Sequence, residues 1–345
     1  MCGLGNSKNK GKVAVALLSA LSCSGNGTLA TSVPNKDSGI VGNVLTTSLG
    51  VGLGGGLGVA GTLLIQKLLC KNSSGKDNLE NKDLVNKVAL PEVDKETGVI
   101  KLNSVKNIRY LGWKMKDKNG NLINDKAFIR SGNTNNLTPE DLAALKKLGV
   151  KTVIDLRMND EICGFLSAKR KTPMDKFCND PDVTYYGLGI PVTTSSFKNF
   201  NEMYCEYCAA LGYDTQANSW NKQIGSSPMY FGPNQIWAIF DVIANAPEDG
   251  KILFHCSHGK DRTGILSALL LSIAGIDVNI VAKNFVDCYN QNGNNVAKDF
   301  TGVVMTQFIS DLANTWGGVE SYLTKCCGIS PETMKKVRQR LNPKM

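Results

Sequence analysis

Lys251-Ile252-Leu253-Phe254-His255-Cys256-Ser257-His258-Gly259-Lys260-Asp261-Arg262-Thr263-Gly264 decides the fold. Lys251 to Phe254 reads as a short buried strand, and the apolar run from Thr263 to Ala274 reads as a helix, so the polar residues between them form a strand-to-helix loop. Unpaired N–H groups at a helix start, together with the helix dipole, bind an oxyanion and favour a thiolate over a thiol. A free cysteine is only about 3% thiolate at neutral pH, so a nucleophilic thiol needs such a field. Cys256 lies in it. Arg262, six positions later, brings a planar fork that holds two phosphate oxygens and stabilises the charge of an in-line transfer.

The main-chain N–H groups from Ser257 through His258, Gly259 and Lys260 to Arg262 are expected to complete the anion cradle, with Gly259 permitting a turn that a Cβ would obstruct. This spacing predicts phosphomonoester hydrolysis in two steps, through a phosphocysteine on Cys256 that water then releases. The chemistry calls for no cofactor and no metal. The leaving oxygen needs a proton, and two carboxyls are candidates: Asp261 inside the loop and Asp155 at the end of Lys151-Thr-Val-Ile-Asp-Leu-Arg157. Residue types alone do not choose between them. Thr263 is placed to donate its hydroxyl to the thiolate, and His255 and Arg157 are read as supporting groups. Lys260 adds a cation suited to a multiply phosphorylated substrate.

The chain resembles the bacterial tyrosine-phosphatase family whose loop reads H-C-x-x-G-K-D-R-T-G. Asn107-Ile-Arg-Tyr-Leu-Gly112 is similar to that family's opening N-F-R-D-L-G, and Phe128-Ile-Arg-Ser131 to its Y-R-S. Leu137-Thr-Pro-Glu-Asp141 through Asp155-Leu156-Arg157 and Glu161 resembles L-T-x-x-D…T-V-I-D-L-R…E, and Gly317-Gly-Val-Glu-Ser-Tyr-Leu323 with Gly328-Ile-Ser330 resembles the closing motif. The likeness covers roughly residues 100 to 342. It implies that Lys260 and Asp261 belong to the site, with Asp155 as rival or partner proton donor, and that substrates include phosphotyrosine, other phosphoresidues or phosphoinositides. Tyr110 stands where the family carries aspartate, Trp113 where glycine is common, and Asn284-Phe285 where Asp-Tyr often follows.

A length of 345 residues with 42% hydrophobic content suffices for a packed core. Residues 1–72 are rich in Gly, Ser, Asn and Leu, residues 73–98 read as a polar linker, and 99–345 as a compact catalytic unit. In that unit Thr138-Pro139 starts a helix that Gly149 stops, and Val150 to Leu156 is a strand. Val183 to Gly187 is a further strand, Pro233 to Ala246 an amphipathic helix, Asn119-Gly120 a hairpin turn, and Ser330-Pro331 the start of a last, basic helix. The expected fold is therefore α/β, a three-layer cysteine-phosphatase arrangement with a mostly parallel sheet between helices and the loop at a strand's C-terminal end. Residues 190–232 read either as a lid or cleft wall or as a surface insertion.

Val13 to Cys23 follows Lys8, Lys10 and Lys12, the layout of a signal-peptide n-region and h-region. Residues 38–66 carry no charge and place Gly50, Gly54 and Gly58 at small-xxx-small spacing. They read as a membrane-inserted segment or as a Gly-rich tether. The flanking lysines keep the catalytic unit on the cytosolic side of a membrane contacted through 13–23 and 38–66; export of the enzyme is the alternative. The excess of 39 Lys+Arg over 30 Asp+Glu, +9, fits an anionic lipid surface or a phosphorylated substrate, and no nucleic-acid motif accompanies it. Eleven cysteines, an odd number, argue against a fully paired disulfide framework. Cys205-x-x-Cys208 and Cys326-Cys327 are read as core thiols rather than metal ligands. Protein phosphotyrosine, with dual specificity for phosphoserine or phosphothreonine beside it, is the first substrate reading and phosphoinositide the second. An inactive phosphate-binding membrane tether is a third, and sulfur transfer or arsenate reduction leaves the Lys-Asp-Arg-Thr-Gly run unexplained.

Overall fold

The structure, a computed structural model, describes residues 83–158, 161–162, 176–192, 197–214, 219–220, 231–290 and 298–343. The hydrophobic stretches 13–23 and 38–66 lie outside the described residues. Among the described residues no helix is long and apolar enough to cross a membrane.

In chain order the elements are β1 (Arg109–Tyr110), β2 (Phe128–Ser131), α1 (Pro139–Lys147), β3 (Val150–Asp155), β4 (Thr184–Gly187), α2 (Phe200–Ala210), β5 (Tyr213–Asp214), β6 (Ser219–Trp220), α3 (Phe231–Asn245), β7 (Lys251–His255), α4 (Asp261–Ile273), α5 (Val278–Asn290), α6 (Phe300–Trp316), α7 (Val319–Lys325) and α8 (Pro331–Leu341). A 3-10 turn, Lys176–Asn179, precedes β4. The principal sheet has the order β1-β2-β7-β3-β4. Its strands β2, β7, β3 and β4 run parallel, and β1 pairs antiparallel at the edge. The mostly parallel sheet and flanking helices are those expected for a three-layer phosphatase fold.

Parallel strands covered on both faces need apolar side chains on both, and Val153, Ile154, Ile252, Leu253 and Phe254 are fully buried accordingly. The strands end in register. Ser131 pairs with His255, His255 with Asp155, and Asp155 with Gly187, so one row crosses the sheet at its C-terminal edge. Cys256 is the next residue of the central strand. Beyond it α4 runs back along the sheet, buried from Asp261 to Leu271, which explains why it reads as continuously apolar rather than amphipathic. Gly264 lets α5 approach closely, because a Cβ there would strike the Phe285 ring.

Local signals account for the element ends. Thr138 caps α1 by accepting from the Asp141 N–H at 3.1 Å, Pro139 opens it, and Gly149 leaves it at φ +95°. Ser330 accepts from the Thr333 N–H at 3.1 Å ahead of α8. The Asn119-Gly120 turn closes with Gly120 N–H donating to Asp117 O at 2.9 Å, and Asp117 Oδ1 accepts from the N–H groups of Asn119 and Asn121.

Two regions differ from their reading in sequence. Part of 190–232 is core: α2 buries Met203, Tyr207, Cys208 and Ala210, and its Tyr204 hydroxyl donates to Asp311 on α6. Residues 193–196, 215–218 and 221–230 of that stretch lie outside the described residues. The second half of the polar stretch 73–98 is bound to the unit, since Lys147 Nζ donates to the carbonyls of Asn86 and Val88 and Val93 bridges to Ile100. Tyr110 and Trp113, two departures from the family pattern, stack on each other with ring centroids 5.6 Å apart at 17°.

Candidate active site

The loop between β7 and α4 is shaped by donors from outside it. Asn133 donates from its N–H (3.2 Å) and Nδ2 (3.1 Å) to Ser257 O. Asn107 Nδ2 donates to His258 O at 3.3 Å and to Gly259 O at 2.9 Å, and Arg130 Nη2 donates to Gly259 O at 3.0 Å. A trans peptide points its C=O and the following N–H in opposite directions. With three consecutive carbonyls turned outward, the N–H groups of His258, Gly259 and Lys260 face the opposite way. The N–H groups of Gly259, Lys260, Asp261 and Arg262 find no acceptor among the described residues. Gly259 sits at φ +69°, and an added Cβ would lie 2.7 Å from Ser131 C and O and from Gly132 N. A cradle of free donors at a helix start is thus built in and held from behind.

Cys256 is 3% exposed at the strand end, and Arg262 is 8% exposed one turn on. Glu161 orients the guanidinium: Nη2 donates to Oε1 at 2.8 Å and Nη1 to Oε2. The same carboxylate accepts from Ser257 Oγ at 3.0 Å and from the Met158 N–H at 3.0 Å. A guanidinium has five N–H donors, so this end-on grip leaves others for an anion. Burial works against the Arg262 charge, but Glu161 and then Cys256 outweigh it and hold its pKa above the usual value. Burial likewise raises Glu161, and the Arg262 hydrogen bonds overcome it, so that its pKa is lowered. Arg130, wholly buried, is lowered chiefly by desolvation; its Nη1 donates to Asn284 Oδ1 at 3.0 Å.

The two candidate acids differ in surroundings. Asp155 is fully buried and both its oxygens are engaged: Oδ1 accepts from the Arg157 N–H and Nε at 2.9 Å each, and Oδ2 from Arg157 Nη2 at 2.5 Å and the Tyr185 hydroxyl at 2.6 Å. Such a carboxylate is a strut between β3 and β4, with no oxygen left for a substrate. Asp261 is held at one oxygen, Oδ1, by the hydroxyls of Tyr207 (2.6 Å) and Tyr289. Lys260 is 2% exposed with Nζ 4.4 Å from the centre of the Tyr289 ring. His255 is buried between Thr134 Oγ1 at 3.4 Å and Asp155 Oδ2 at 3.8 Å, behind the loop. The His258 side chain is exposed. Thr263 Oγ1 is buried and has no hydrogen-bond partner among the described residues.

Glu161, Asn107, Arg130, Asn133, Tyr207 and Tyr289 carry no role in the sequence reading. The first three stand in the motifs shared with the family, a signal that marks them without saying what they touch; Tyr207 and Tyr289 lie on helices that the sequence marks only faintly. Cys208 of the C-x-x-C pair is buried, and desolvation pushes its thiol up to about 12, as for a core thiol; Cys205, also on α2, is exposed, so the core reading is corrected for it.

Fold and site together define an α/β protein with a loop of main-chain N–H groups lacking acceptors at the C-terminal end of a parallel sheet, opened by a cysteine and closed by an arginine. The model of the tyrosine phosphatase family matches residues 100–342, and the chain belongs to that family. A curated relative from Nostoc commune, named "Tyrosine-protein phosphatase", is 33% identical over 159 residues, 46% of this chain and 47% of that protein. The chain therefore aligns with about half the length of that relative.

Proposed function

We propose that this protein hydrolyses phosphomonoesters, with phosphotyrosine in proteins as its substrate class. Membership of the tyrosine phosphatase family supports the class of reaction. The mechanism is supported by the loop that opens at Cys256, whose N–H groups from Gly259 to Arg262 find no acceptor among the described residues, and by an Arg262 whose fork Glu161 orients and whose charge Cys256 favours. On this reading the phosphoryl group rests on the N–H groups of the loop and on Arg262, and Cys256 Sγ attacks phosphorus in line. Asp261 gives a proton to the departing oxygen, because Asp155 is saturated by Arg157 and Tyr185. Water then displaces the sulfur and inorganic phosphate leaves.

Phosphoserine and phosphothreonine fall within the same protein-phosphatase reading; phosphoinositide hydrolysis is a second reading, favoured by one observation: the ammonium of Lys260 is held beside the loop by the Tyr289 ring. Residues 13–23 and 38–66 supply the membrane contact in this proposal, with the catalytic unit, 99–345, on the cytosolic side. Parallel kcat/KM measurements on phosphotyrosine peptides, phosphoserine peptides and a phosphoinositide panel order the substrates. The proposal expects phosphotyrosine first; a phosphoinositide preference of tenfold or more, about 1.4 kcal/mol in transition-state binding, reverses the order.

A further inference from the structure

Tyr207 on α2 and Tyr289 on α5 approach Asp261 from two separate helices and meet at one oxygen. Both hydroxyls donate to Asp261 Oδ1, Tyr207 at 2.6 Å, and the two hydroxyl oxygens are 3.4 Å apart. Oδ2 takes part in none of these bonds. Both tyrosines are buried. Phe285 packs edge-on against each ring, at 5.9 Å from Tyr207 and 5.2 Å from Tyr289, while Phe197 and Phe308 fix Tyr207 further. Desolvation first, and the Asp261 charge next, raise the pKa of both phenols, so they remain protonated donors at any working pH.

A carboxyl oxygen has two lone-pair directions in its plane, and two donors fill them. The proton of a neutral Asp261 then has only Oδ2 to occupy. We propose that Tyr207 and Tyr289 are positioning residues that make Asp261 hold and deliver its proton through Oδ2. The inference rests on the reading of Asp261 as the proton donor. In the first step the Oδ2–H bond breaks and its proton passes to the leaving oxygen, while the P–O bond breaks and the Sγ–P bond forms. The charge left on the carboxylate faces two hydroxyls already in place, so nothing has to reorganise around it. In the second step water attacks phosphorus, its proton goes to Oδ2, the Sγ–P bond breaks and the thiolate is restored.

The test uses the full chain with Tyr207→Phe, Tyr289→Phe and the double variant, each keeping the ring and, at 289, the Lys260 contact. Turnover is measured on aryl phosphates of graded leaving-group pKa, since a general acid matters most for a basic leaving group. The expected result is a steeper dependence on leaving-group pKa. The ratio of kcat/KM for phenyl phosphate to that for p-nitrophenyl phosphate should fall about tenfold in the double variant, in the direction of Asp261→Asn. In an Asp261→Asn background the tyrosine changes should add no further steepening. An equal loss on all substrates, or the same steepening without Asp261, would overturn the proposal. If Asp261→Asn shows no steepening while phosphocysteine still forms, the tyrosine clamp falls and the cysteine chemistry stands. Absence of phosphocysteine in the unmodified protein defeats both.

Discussion

Glu161 grips Arg262 by both terminal nitrogens and binds Ser257 of the same loop through Oε1, tying the chain after β3 to both ends of the anion cradle. Glu161→Gln keeps the shape and removes the charge. The expected outcome is a fall of about tenfold in kcat/KM for p-nitrophenyl phosphate, with the largest change in phosphate affinity, because a charge-assisted bond is worth roughly 1.5–3 kcal/mol. Steady-state kinetics with inorganic phosphate as competitive inhibitor measure it.

The same pair sets a pH window. The pKa of Glu161 is lowered from 4.5 in the folded protein, so its contribution is fully present above about pH 4.5 and is lost as pH falls through the lower folded value. Thermal unfolding from pH 6 to pH 3 should therefore show the unmodified protein losing stability more steeply below pH 4.5 than Glu161→Gln. Parallel curves would mean that the ion pair contributes nothing in solution.

Asp155 and Asp261 should separate cleanly. Asp155→Asn breaks the buried Asp155–Arg157 ion pair and is expected to destabilise the fold by about 3–5 kcal/mol, with an unchanged dependence on leaving-group pKa. Asp261→Asn is expected to steepen that dependence with a smaller change in stability. Denaturant unfolding beside aryl phosphate kinetics reads both.

Gly259→Ala meets two obstacles at once, φ of +69° and a Cβ 2.7 Å from the Ser131 carbonyl. The left-handed conformation alone costs an alanine about 1–2 kcal/mol, and the contact requires backbone to move. Loss of phosphate binding by at least tenfold is expected, seen by isothermal titration, with the far-ultraviolet circular dichroism spectrum preserved.

What was legible in the sequence was local. The loop, its strand and its helix lie within one continuous run, and the caps of α1 and α8 are Thr138-Pro139 and Ser330-Pro331, chemistry that acts over three residues. Helices α5 and α6 left fainter marks: the Asp277 carboxylate accepting from the Asn279 N–H at 2.9 Å, and Gly317 at φ +83° ending α6. What was not legible is direction across space. Asn107 reaches a carbonyl 152 positions later, and Tyr207 and Asp261 meet across 54. The proposed choice of Asp261 over Asp155 rests on which carboxyl oxygens Arg157, Tyr185, Tyr207 and Tyr289 occupy, and no spacing rule reports that.

The central claim is that Cys256 becomes covalently phosphorylated during turnover. Rapid acid quench of the full chain with a radiolabelled phosphotyrosine peptide, followed by peptide mapping, tests it most directly. A labelled acid-stable phosphocysteine at Cys256, absent in Cys256→Ser together with turnover, is the predicted result. Turnover that persists in Cys256→Ser, or label found on another residue, would contradict it.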